Sequence, residues 1–98
     1  MSRNEIIERL RLNADAIRGM GATSLYLFGS AARDKARPDS DLDLFIDYDP
    51  ALRFSLLDLV GIKQFLEEQM SAEIDVTTRD SLHPMLKDDI ERSAVRVF

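Results

Sequence analysis

Hydrophobic residues recur along this chain at two spacings, and the alternation between them predicts its elements. From Ser2 to Arg18, Ile6, Leu10, Ala14 and Ile17 fall at helical intervals, and Ser2 with Glu5 can form a capping box. Arg18-Gly19-Met20-Gly21 ends that pattern, glycine supplying a left-handed stop. The apolar run Thr23 to Phe28 predicts a buried strand, and Gly29-Ser30 a turn. Ala31-Ala32-Arg33 suits a short helix, and Asp34 to Ser40, polar and containing Pro38, a mobile loop. A second strand runs from Asp41 to Asp47 and is closed by Asp49-Pro50.

The second half repeats the alternation. Leu52 to Met70 predicts a long helix despite Gly61, which costs about 1 kcal/mol relative to Ala. On a helical wheel Leu52, Leu56, Leu59, Val60, Ile62 and Leu66 form a broad stripe expected to be core. Phe54, Leu57 and Phe65 fall roughly opposite, as a second apolar face for another element or a partner. Ala72 to Thr78 predicts a third strand, with Glu73, Asp75 and Thr77 on one face and Ile74 and Val76 on the other. Ser81 is placed to cap a last helix, Leu82 to Arg92, with Pro84 in its first turn. Ala94 to Phe98 alternates as a short terminal strand. The order α-β-α-β-α-β-α-β predicts a small α/β domain over residues 1–98.

One position breaks the bland reading of these strands. Alternate strand residues share a face, so Asp41 and Asp43 point the same way while Leu42 and Leu44 point to the core. Two neighbouring carboxylates at the start of an apolar strand are costly unless a cation or water neutralises them. Asp47 and Asp49, at the far end, read as solvated, His83 beside Pro84 as a helix-start residue, and Tyr26 and Tyr48 as packing and loop residues.

Composition narrows the functional classes. The chain has 98 residues, is 45% hydrophobic and 32% charged, and carries a net charge of -5. That balance suits a soluble domain and argues against direct nucleic-acid binding, which needs a basic surface. No apolar run approaches membrane-spanning length, and cysteine is absent, so thiolate metal sites are excluded and a cytoplasmic setting fits.

Gly29-Ser30, ten intervening residues and Asp41-x-Asp43 together resemble the signature of the polymerase β-like nucleotidyltransferases. The pattern is most similar to that of the minimal nucleotidyltransferases, and Gly29-Ser30-Ala31-Ala32-Arg33 fits their GSxAR form. Asp75 sits where that family carries its third carboxylate, on the strand after the long helix. The resemblance covers nearly the whole chain. It implies a small mixed sheet flanked by helices, with Asp41, Asp43 and Asp75 as catalytic residues holding two Mg²⁺ ions, which favour carboxylate oxygens. It further implies that Gly29, Ser30 and Arg33 bind the nucleotide: close backbone approach to a phosphate, a donor to its oxygen, and neutralisation of pyrophosphate.

The implied activity is transfer of AMP from ATP to an acceptor hydroxyl. Larger relatives hold the acceptor with a further domain, so here it should be supplied in trans. Families of this size pair with a helical HEPN protein, as antitoxin and ribonuclease toxin, and the implied acceptor is a tyrosine of that partner. The alternative is an antitoxin that neutralises its partner by binding alone. Transfer to a small molecule such as an aminoglycoside is a third reading, and nothing in the sequence resembles a second substrate lobe for it.

Overall fold

The computed structural model describes residues 2–33 and 41–98. The polar segment from Asp34 to Ser40, read from the sequence as a mobile loop, lies outside the described residues. Four strands form one mixed sheet in the order β3-β2-β1-β4. Strand β1 (Ala22–Phe28) pairs antiparallel with β2 (Leu42–Tyr48), and β2 pairs parallel with β3 (Ile74–Thr78). A two-residue strand, β4 (Val95–Arg96), runs antiparallel to β1 on its other side. The expected mixed sheet flanked by helices is therefore present.

The predicted first helix is broken in two. Asn13 separates α1 (Arg3–Leu12) from α2 (Ala14–Gly19), its side-chain amide donating to the Arg9 carbonyl at 2.9 Å. A short amide side chain competes in this way with the helical ladder. Ser2 caps α1, its hydroxyl accepting from the Glu5 N–H, and Gly21 supplies the positive φ (115°) of the stop. A Cβ there would lie 2.8 Å from the ring of Phe54.

The long helix α4 is Leu56–Met70, four residues shorter than its hydrophobic pattern suggests. Ser55 and Asp58 form a reciprocal capping box that fixes the start after Leu52 and Phe54. This later start corrects the wheel. Ile62, Leu66 and Met70 form the buried stripe, with Leu59 and Phe65 packed at its margins. Leu52, Leu56 and Val60, expected in the core, are exposed. Phe54, ahead of the helix, stacks on Tyr48 at 4.9 Å, so only Leu57 of the expected second face stands free, 82% exposed.

The residues before the last helix differ too. Ser81 lies in a 3-10 turn (Arg79–Ser81), and His83 caps α5 (Pro84–Ser93), its Nδ1 accepting from the Met85 N–H. Pro84 occupies the first helical position, where no N–H is missed.

Alternation in the strands divides the sheet into two faces. Leu25, Leu27, Leu42, Leu44, Ile46, Ile74 and Val76 pack with Ile6, Leu10 and Ile17 from the first two helices and with the α4 stripe. Among the described residues, no helix is long and apolar enough to cross a membrane. The other face carries Tyr26, Phe28, Asp43, Phe45, Asp47 and Asp75, together with α5 at one side. Phe45 is fully buried on it, stacked on Tyr26 at 4.7 Å and tilted against Phe28 at 5.7 Å.

Candidate functional site

The parallel register places Asp43 beside Asp75, and the antiparallel register places Phe28 beside Asp43. The turn after Phe28 therefore starts next to the carboxylate. That turn is α3 (Gly29–Ala32), a single helical turn anchored by its buried Ala31 and Ala32. Gly29 has φ 73°, and a Cβ added to it would sit 2.5 Å from Oδ2 of Asp43. Glycine is required twice, for the left-handed backbone and for the closeness of main chain to carboxylate. Ser30 follows in the same turn, half-buried, and Arg33 caps its C-terminus, exposed. Arg3 reaches the same turn from α1, donating to the Ala32 carbonyl at 3.3 Å.

Asp41 lies just ahead of β2, exposed, and Asp75 is exposed on β3. Asp43, between them, is half-buried. Burial pushes its carboxyl above the ordinary value of 3.8, and the negative charges of Asp75 and Asp41 push in the same direction. No ion pair among the described residues involves Asp41, Asp43 or Asp75. Among the described residues, negative charge is therefore concentrated here without an ion-pair partner.

A hard divalent cation suits such an oxygen donor set. Among the described residues, no three His, Cys, Asp or Glu side chains gather as a ready-made metal cage. Mg²⁺ takes one or two carboxylates and completes its shell with water and substrate phosphates. The donor set thus fits an ion shared with a polyphosphate.

The concavity lined by Tyr48, Phe54, Ser55, Leu59, Thr78 and Asp80 lies at the other end of β2 and contains none of these residues. Among the described residues, Asp41 and Asp75 are exposed and Asp43 half-buried at the opposite end.

The far end of β2 corrects a further expectation. Asp47 is not solvated: Arg79 grips both of its oxygens, at 2.7 and 3.0 Å. Asp49 is exposed, accepting from the Ala51 N–H. Tyr48 stacks on Phe54 and donates to Asp80 at 2.7 Å, so both tyrosines serve packing and loop contacts. The sequence reading missed Arg79. Its signal was the register, because Asp43 to Asp75 and Asp47 to Arg79 span the same 32 residues.

The glycine turn and the Asp43–Asp75 pair thus meet at one end of the sheet. Residues 5–97 match the nucleotidyltransferase domain family. A provisionally named protein adenylyltransferase of Methanocaldococcus jannaschii is 43% identical over 78 residues, 80% of this chain and 82% of that protein. A solved chain provisionally assigned as a minimal nucleotidyltransferase superposes with TM-score 0.73 at 33% identity, over 91% of this chain and 93% of that one. The structure of a tri-AMPylated Shewanella oneidensis HEPN toxin with an MNT antitoxin gives TM-score 0.60 at 17% identity, over 89% and 70%, a likeness of fold. This chain belongs to the nucleotidyltransferase domain family and is an enzyme of that class.

Proposed function

We propose that the chain moves AMP from Mg-ATP onto a hydroxyl acceptor, a tyrosine of a HEPN ribonuclease toxin, and serves as the antitoxin of that protein in the cytoplasm. The observation that carries the reading is the pairing of Asp43 with Asp75 directly beneath Gly29. The names of two similar proteins support the finer points, one a protein adenylyltransferase and the other an antitoxin bound to an AMPylated HEPN toxin.

In this reading the Gly29 and Ser30 turn holds the phosphates, its backbone close enough for N–H groups to meet oxygens. The acceptor oxygen attacks the α-phosphorus of ATP, a new P–O ester bond forms, and the bond to the bridging oxygen breaks. Pyrophosphate leaves, its charge met by Arg33. The acceptor proton passes to Asp75 or to water beside it, Asp75 being the more exposed of the facing carboxylates. Asp41, Asp43 and Asp75 are the groups that would hold two Mg²⁺ ions, which when bound supply positive charge to the oxygens on either side of the phosphorus. The open sheet face leaves room for an acceptor brought by another protein.

Intact-mass analysis of the partner, incubated with this chain, Mg²⁺ and ATP, tests the reading. A mass gain of AMP units that disappears with Asp43→Asn supports it. Neutralisation of the partner without any mass gain, unchanged in Asp43→Asn, supports binding alone.

A further inference from the structure

Arg79 carries interactions that the transfer chemistry does not use. Its Nε and Nη2 donate to Asp47 at 2.7 and 3.0 Å, and its Nη1 donates to Glu91 of α5 at 2.6 Å. The guanidinium also lies over the rings of Tyr26, 4.7 Å from the centroid, and Phe45, 4.9 Å. Carboxylates engage all three of its nitrogens and both rings lie under it, so this arginine is built to hold protein together rather than to bind phosphate. The three side chains are each about 30% exposed, protected enough for these contacts to persist.

Two routes lead from Arg79 to the nucleotide turn. Through Glu91 it ties down α5, and α5 packs on α3 and β1. Through Phe45 it presses on Phe28, the residue before Gly29 and the register partner of Asp43. The turn α3 has four residues, too few to hold a helical conformation unaided, so its place depends on what packs against it.

We infer that Arg79 is a positioning residue for the nucleotide turn: by tying Glu91 of α5 to the sheet and covering the Phe45 ring, it fixes Gly29 and Ser30 relative to Asp43. The inference rests on the reading of that turn as the phosphate site. It adds a residue with no contact to substrate, and it predicts a defect in nucleotide affinity.

Hydrogen exchange on the full chain, with Glu91→Gln, Arg79→Gln and Arg79→Lys compared with wild type, tests the position directly. Glu91→Gln removes the charge that strengthens the Arg79 tie to α5 while leaving the Arg79–Asp47 pair and the ring stack in place, so it guards against simple unfolding. Exchange should quicken in residues 84–93 and also in residues 28–33. Affinity for Mg²⁺ with a non-hydrolysable ATP analogue should fall about 2- to 30-fold, the range for residues coupled to a site without touching it. Arg79→Lys keeps the charge without the fork and should fall between wild type and Arg79→Gln. Faster exchange in residues 84–93 with unchanged exchange in residues 28–33 and unchanged affinity would overturn the inference, leaving Arg79 a stabilising clamp only. If the turn loosens in Glu91→Gln but wild type itself does not bind the analogue, the positioning role stands and the phosphate reading of the turn fails.

Discussion

Strand β2 presents two carboxylates four residues apart to the chain beside it, β3 and the 3-10 turn that follows it. Near the start, Asp43 faces Asp75, acid against acid; near the end, Asp47 meets Arg79, acid against base. Strand β2 and the sequence separation are the same for both pairs. At the second position the guanidinium satisfies both carboxylate oxygens and links the sheet to α5. At the first, burial and like charge both disfavour ionisation of Asp43, and no ion pair among the described residues relieves it. A fold that pairs an acid with an arginine at one position leaves the acids four residues away without an ion pair among the described residues. In the proposed function that asymmetry has a reason: the cation for the first pair arrives with the substrate.

The largest effect should come from breaking the unpaired acids. Asp43→Asn or Asp75→Asn should each cut AMP transfer about 100-fold or more, and the double variant should be little worse, since the groups act as a unit. Labelled ATP with the partner measures this; near-normal turnover by Asp43→Asn would remove the site assignment.

Gly29→Ala comes next. It forces an L side chain into φ 73° and places its Cβ 2.5 Å from Oδ2 of Asp43, so the carboxylate or the turn must move. The left-handed backbone alone costs about 1–2 kcal/mol, and activity should fall with stability. A variant that melts like wild type and transfers normally would show that the close approach is dispensable.

On the paired side, Arg79→Gln leaves two carboxylates without their cation and should destabilise by about 1–3 kcal/mol, read by urea unfolding. Leu57→Ser should change stability by no more than about 0.5 kcal/mol, because that side chain is 82% exposed. A large loss at Leu57 would mean that it is buried in solution, in an assembly of this chain.

The Asp41-x-Asp43 motif was legible in the sequence because its evidence is local, whereas Asp75 was placed by the family resemblance. A period-2 strand carrying Asp41 and Asp43, and a strand–glycine–serine turn, can each be read from a few neighbouring residues. The clamp was not, because Asp47 and Arg79 are 32 residues apart and nothing near either names the other. It becomes visible once Asp75 is set beside Asp43, since a parallel register carried four residues on brings Arg79 to Asp47. The α4 stripe was misread for a different reason. Hydrophobic period ran on through Leu52, while the Ser55–Asp58 capping box, which starts the helix, is a signal of side-chain hydrogen bonding and not of hydropathy. Leu52 and Leu56 then fall outside the buried stripe of Ile62, Leu66 and Met70.

The central claim is that the charge left uncompensated at Asp43 is neutralised by a metal-bound nucleotide. Its folded-state carboxyl titrates above the ordinary 3.8, so the folded protein holds this proton more tightly than the unfolded chain. Without metal, stability from this group is fully present below that pH and is lost as pH rises through the raised value. Thermal melts of wild type and Asp43→Asn at neutral pH, in EDTA, in Mg²⁺, and in Mg²⁺ with a non-hydrolysable ATP analogue, test this most directly. The account predicts that Asp43→Asn is at least as stable as wild type in EDTA. Wild type should then gain about 2.7 kcal/mol when ligand reaches 100 times its dissociation constant, and the variant should gain clearly less. A variant less stable than wild type in EDTA, with equal gains from the Mg²⁺-nucleotide in both proteins, would contradict it.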